Sequence, residues 1–203
     1  MLFLFKSVNC ATSMKIVNYK YHFLLIMLGL IWINLFDFLL QLGLQTNICN
    51  DATNYVEASD FLYNYGQTHY FRPSFLAILH GIPYLFGANN ISEIYAFSYY
   101  LNIFCWLGYS LVFFEMIKHF FKPRKSFFIA LCPLLFLGTM SLIFQALSEN
   151  VFMFLLISAF YNLSTYFQTK QYANLSIGIS LMIVGILVRP GILFFTILII
   201  FFL

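Results

Sequence analysis

The chain has 203 residues, 62% of them hydrophobic and only 8% charged, with a formal net charge of +3. A soluble domain carries about 25% charged residues, and a core of this size cannot hide so much apolar surface from water, so lipid is the solvent that fits. The small net charge gives no basis for a nucleic-acid partner. Barrel strands alternate polar and apolar over about ten residues; here the apolar runs are continuous, so helices that satisfy their own backbone in lipid are expected.

A helical span needs roughly 20 apolar residues. Residues 1–20 read as a cytoplasmic N-terminus with Lys6, Lys15 and Lys20, followed by a first span over 21–44. No small-residue cleavage site follows it, so it does not read as a signal peptide. A polar outer loop covers 45–90, and the second span covers 95–117. A basic loop with Lys118, His119, Lys122, Arg124 and Lys125 precedes a third span at 126–144. The fourth covers 151–167. The apolar stretch 172–203 is too long for one span, and Arg189-Pro190-Gly191 divides it, because proline restricts its predecessor and lacks an N–H. The expectation is an all-α polytopic membrane protein of about six transmembrane segments, forming one transmembrane domain over 1–203.

Cytoplasmic loops are enriched in Lys and Arg. With the N-terminus inside, Lys6, Lys15, Lys20, Lys118, Lys122, Arg124, Lys125 and Lys170 all fall inside, and Arg72 and Arg189 fall outside. Asp51, Glu57, Asp60, Glu93 and Glu149 fall on the outer side as well. The expected location is an integral membrane, the cytoplasmic membrane if the source is bacterial. The two exceptional arginines meet several carboxylates there, which marks a candidate site.

In the outer loop, residues 50–66 read as an interfacial helix with Tyr55, Ala58, Leu62 and Tyr65 on its apolar face. Asn50 or Asp51 caps its start, Gly66 ends it, and Glu57 and Asp60 share one general side. Arg72-Pro73 opens a second helix over 74–80, which bends at Gly81-Ile82-Pro83 and closes by Asn90. Arg189 is a charge inside an apolar stretch, a functional feature by default, with an ion pair to Glu149 or Asp51 as the plain alternative. Asp37 sits late in the first span, facing the site or paired internally. His69 and His80 have no metal-ligand spacing and read as interfacially solvated. The four cysteines show neither metal spacing nor an evident pairing.

The block Asp51-x3-Tyr55-x2-Ala58-x3-Leu62-x3-Gly66, then Arg72-Pro73 and an apolar helix ending Leu85-Phe86-Gly87, resembles the first outer loop of the GT-C glycosyltransferases. The protein O-mannosyltransferases and lipid A aminoarabinose transferases are the branches it resembles most. The helix led by Ser148-Glu149-Asn150 and the Arg189-Pro190 break are similar to two later stretches of that family. The resemblance covers the N-terminal part of a typical member, so an incomplete GT-C module is expected. Where many members have Asp-Glu, this chain has Asp51-Ala52, which leaves Glu57 or Asp60 as substitutes for the second carboxylate.

The resemblance implies transfer of a sugar from a polyprenyl-phosphate donor to a lipid, glycan or protein acceptor at the outer face. It implies Asp51 as general base, with Arg72, Arg189, Glu57, Asp60 and Glu149 binding substrate; no cofactor is certain and a divalent cation is left open. The alternatives are a transporter or flippase, whose polar groups would lie at mid-bilayer on several helices, and a non-catalytic fragment or assembly subunit.

Overall fold

A computed structural model describes residues 2–40, 50–69 and 72–190, all of whose regular elements are helical. In chain order they are α1 (Leu2–Leu40), α2 (Asn50–Tyr65), α3 (Ser74–His80), a 3-10 turn (Ile82–Phe86) and α4 (Ile91–Ile117). Next come α5 (Pro123–Leu135), α6 (Leu137–Ser141), a second 3-10 turn (Leu142–Phe144), α7 (Glu149–Thr169) and α8 (Tyr172–Val188). By length and composition, Tyr19–Leu40, Ile91–Ile117 and Glu149–Thr169 are each able to cross a membrane, and α5 with its continuation to Phe144 makes a fourth. Helix α8 is apolar but shorter, at 17 residues. Residues 41–44 of the expected first span, and the expected last segment beyond Pro190, lie outside the described residues.

The third expected span is not straight. It breaks at Phe136, which is extended (φ −71°, ψ 118°), and bends by 51°. Pro133 lacks the N–H that a continuing helix needs. The Thr139 hydroxyl lies 3.0 Å from the Pro133 carbonyl and 2.9 Å from that of Phe136, which also accepts the Met140 N–H at 3.2 Å. Asn102 of α4 donates at 2.6 Å to the Gln145 carbonyl just past the second 3-10 turn. Broken backbone at such a position persists only where partners of this kind take up its polar groups.

Helix α7 packs along α8 on one side and α4 on the other, and α5 packs on α4 and α1. Leu25, Ile33, Trp106, Phe114, Leu134, Met140 and Ile143 form the fully enclosed interior. Two ring contacts define the ends of the bundle. Tyr21 of α1 packs on Phe127 at 5.3 Å, and Phe36 packs on Phe144 at 6.0 Å. These lie about 15 residues, ~22 Å, apart along α1, so the bent segment runs lengthwise beside α1. At the Tyr21 end stand Lys118 and Lys122 on the connection from α4 to α5, and Arg124 and Lys125 in the first turn of α5. Glu115 there lies 2.7 Å from His22 Nε2 and 2.7 Å from Lys118 Nζ, tying α1 to α4.

At the other end, α2, α3 and the first 3-10 turn form a cap. Gly66, at φ 65°, ends α2, and Gly87, at φ 88°, ends the turn; both conformations favour glycine. Tyr63 donates to the Ile78 carbonyl at 3.0 Å, and Tyr84 donates to Asp60 Oδ1 at 2.7 Å. The two tyrosine rings stack 5.7 Å apart. The buried stripe of α2 is Ala52, Tyr55, Val56 and Ser59, with Ala58 beside it, whereas Tyr65 is exposed. The apolar face is thus rotated from the one read in the sequence: Tyr55 and Ala58 are buried as read, but Ala52, Val56 and Ser59 join them and Tyr65 does not.

Gly81 is the tightest point of the cap. A Cβ there would lie 2.3 Å from the Tyr63 ring and 3.0 Å from the Ala77 carbonyl oxygen. Overpacking of this kind costs about 1–3 kcal/mol. Gly81→Ala should therefore lower the unfolding temperature in detergent, and Tyr63→Ala in the same chain should remove most of the added penalty. Additive losses in the double variant would contradict the packing described.

Candidate functional site

Asp51 lies in the first turn of α2, where a carboxylate complements the positive end of the helix. Arg72 immediately precedes Pro73, which favours an extended backbone before it and starts α3. Arg72 Nη2 donates to Asp51 Oδ1, and its guanidinium stacks 4.7 Å above the Tyr55 ring. The Arg72 side chain is only 17% exposed, whereas Asp51 is 60% exposed. Burial acts to lower the Arg72 pKa, but the hydrogen bond and charge of Asp51 outweigh it and hold the group above its ordinary value.

The second pair joins the start of α7 to the end of α8. These helices are antiparallel neighbours, so Glu149 and Arg189 meet at the end opposite the Lys170–Gln171 connection; Arg189 Nη1 donates to Glu149 Oε1 at 2.9 Å. Arg189 itself has left the helix (φ −144°, ψ 96°) and is half exposed. Of the two carboxylates the sequence offers it, Glu149 is the partner, and Asp51 belongs to Arg72.

Tyr55 links the pairs. Its ring carries Arg72, and its hydroxyl lies 3.4 Å from the Ser148 hydroxyl, next to Glu149. Beneath them Ala52, Tyr55, Val56, Leu76, Ile94, Tyr95, Leu147, Val151 and Val188 share one apolar cluster, so α2, α3, α4, α7 and α8 all support this end. Arg72 Nε, Glu149 Oε2 and Asn150 Nδ2 are buried atoms with no hydrogen-bond partner among the described residues. Tyr55, Ser148 and Asn150 were not read as site residues. Tyr55 looked like an apolar contact, and the contact with Ser148 spans 93 residues of chain.

The remaining candidates stand elsewhere. Asp60 lies nine residues, about two and a half turns, beyond Asp51 and so on the opposite face of α2. It accepts hydrogen bonds from Tyr84 and Asn64, both at 2.7 Å. Burial, aided by Asp60, pushes the Tyr84 phenol up to about 12, which keeps it a donor. Glu57 is exposed on α2. Asp37 is half-buried on α1, within electrostatic range of Tyr99 on α4.

His80 differs from expectation. It is fully buried, not solvated at an interface, with Nδ1 2.8 Å from the Ser98 hydroxyl. The Ser98 hydroxyl is also 2.8 Å from the Ile94 carbonyl, to which it donates. Packing of α3 against α4 is what removes His80 from water, and burial alone pushes its pKa down to about 4. His69 packs beside the Phe61 ring at 6.2 Å. Among the described residues no three His, Cys, Asp or Glu side chains gather to hold a metal ion. Cys105 is buried and Cys132 exposed, both as free thiols.

The arrangement offers an open carboxylate beside a shielded guanidinium, with a second, half-exposed guanidinium on the same end of the bundle. Such a layout suits a ligand carrying both an anionic group and a hydroxyl. Compared with protein-family models, curated proteins and solved structures, the chain matches none.

Proposed function

We propose that the protein is a membrane glycosyltransferase of the GT-C type, transferring a sugar from a polyprenyl-phosphate donor to a lipid, glycan or protein acceptor at the outer face. In this reading the membrane domain has six segments, with α8 and the stretch after Pro190 as the last two. The N-terminus and the lysine-rich end are cytoplasmic. The observation that carries the reading is the meeting of Asp51–Arg72 with Glu149–Arg189 at the end of the bundle away from the lysines. A lipid-linked donor keeps its tail in the bilayer and presents phosphate and sugar at that height.

The chemistry follows from the residues. An acceptor hydroxyl attacks the anomeric carbon and gives its proton to the Asp51 carboxylate. The bond from the anomeric carbon to the phosphate oxygen breaks, and the polyprenyl phosphate leaves with the electron pair. Arg72 and Arg189 stabilise that charge through paired N–H donors. Tyr55 and Glu149 act through the arginines, holding their planes.

The test is transfer of labelled sugar from a polyprenyl-phosphate donor by membranes containing the protein. Transfer is expected with the lipid donor and about 10²-fold less with Arg72→Ala. Equal transfer from a soluble nucleotide sugar without a lipid carrier would rule the class out.

A further inference from the structure

The first 3-10 turn and the opening turns of α4 enclose a groove of about 420 Å³, walled by Ile82, Pro83, Phe86, Ala88, Glu93 and Phe97. Glu93, Phe97, Tyr100 and Phe104 recur at helical spacing and form one stripe of α4. Tyr100 and Phe104 are about two-thirds exposed, at 65% and 64%. The buried stripe of α4, with Ile94, Ser98, Asn102 and Cys105, faces the other way, into the bundle. The groove is therefore the upper end of a surface that faces lipid along the rest of the helix. Leu85 and Phe86, 70% and 85% exposed, flank it at the same height. It lies across α4 from Ile94 and Tyr95, which pack in the cluster beneath the arginine pairs.

We propose that this groove holds an acyl chain of a phospholipid whose head group carries a primary ammonium, with Glu93 as its counter-ion. The walls are apolar and continuous with the lipid-facing stripe, so a chain from the adjoining leaflet enters without leaving apolar surroundings. The one charged side chain is the carboxylate of Glu93. Its Oε2 accepts the Asn89 N–H at 3.2 Å. Among the described residues no Lys or Arg forms an ion pair with it. An anionic glycerol-phosphate head would meet like charge here. A choline head has no N–H to donate. The ammonium of a phosphatidylethanolamine offers both opposite charge and three donors. The site is separate from the proposed sugar-transfer site and stands or falls independently of it.

The test is native mass spectrometry of the full chain in detergent, with phosphatidylethanolamine, phosphatidylcholine and phosphatidylglycerol in equal amounts. The ethanolamine lipid should be retained about two- to fivefold over the other two, the range of an exposed ion pair. Glu93→Gln should erase that preference while leaving total retention intact. Ala88→Trp should fill the groove and lower retention of all three lipids. Phe86→Asp, at a side chain already exposed, should do the same without disturbing packing. Unfolding temperatures recorded beside each spectrum identify folded variants. Equal retention of the glycerol and ethanolamine lipids by the unmodified chain would overturn the proposal. So would a preference that survives Glu93→Gln, or full retention by Phe86→Asp.

Discussion

Asp51→Asn should lower the rate of sugar transfer by about 10²–10⁴-fold, the usual cost of losing a general base, while the protein still folds and binds donor. The substitution keeps the shape of the side chain and gives up only the roughly 0.3–1 kcal/mol that an exposed carboxylate gains in the first turn of α2. It removes the negative charge and the ability to take a full proton. Asp51 is largely exposed, so little packing depends on it. The amide oxygen can still accept from Arg72 in the place of Oδ1. If Asp51 is only the counter-ion of Arg72, the variant should turn over almost normally, and donor binding should strengthen because Arg72 is no longer neutralised. Rate and donor affinity therefore have to be measured together, in membranes with matched expression. Near-normal turnover would remove Asp51 as the base and direct attention to Glu57, the remaining exposed carboxylate of α2.

Acidification should destabilise the protein through His80. Its folded-state pKa is depressed to about 4 by burial, against about 6.5 for an unperturbed histidine. Between those values the unfolded chain binds a proton that the folded chain refuses, so stability falls as pH falls. The contribution is intact above pH 6.5 and is lost progressively down to about pH 4, amounting to about 3 kcal/mol. No charged side chain takes part, because burial is the only cause of the shift. The measurement is the unfolding temperature in detergent from pH 7.5 to 4. His80→Phe fills a similar volume and leaves Ser98 its bond to the Ile94 carbonyl. The variant should lose most of that slope, while the contributions of the carboxylates, common to both proteins, remain. Parallel pH profiles would show that His80 is hydrated in solution.

Local signals carried the cap. Pro73, Gly66 and Gly87 punctuate the outer loop, and α2, α3 and the 3-10 turn lie between them as those residues dictate. The charges of the site were legible for a different reason: an arginine in an apolar stretch is costly enough to stand out. Which carboxylate each arginine takes was not legible, because the choice depends on α7 lying antiparallel to α8. Which residues join Tyr55 and Ala58 in the buried face of α2 is set by its packing on α3 and α4, which no spacing within α2 encodes. Burial of His80 is likewise a property of two helices meeting, and no spacing within Ser74–His80 encodes it. The third span reads in the sequence as unbroken; the break falls at Phe136, three residues after Pro133, where the Thr139 hydroxyl reaches the Pro133 carbonyl.

That break bears on how the chain enters a membrane during synthesis. Helix α5 alone, 13 residues long, reaches about 20 Å, short of the ~30 Å hydrocarbon thickness. Its continuation to Phe144 is shorter still, so neither half is a self-sufficient insertion signal. Besides Thr139 of the segment itself, the bent backbone gains partners from α4, through Asn102 and through Tyr109, whose hydroxyl lies 3.5 Å from the Pro133 carbonyl. The α4–α5 hairpin is accordingly expected to enter lipid as a whole and not helix by helix.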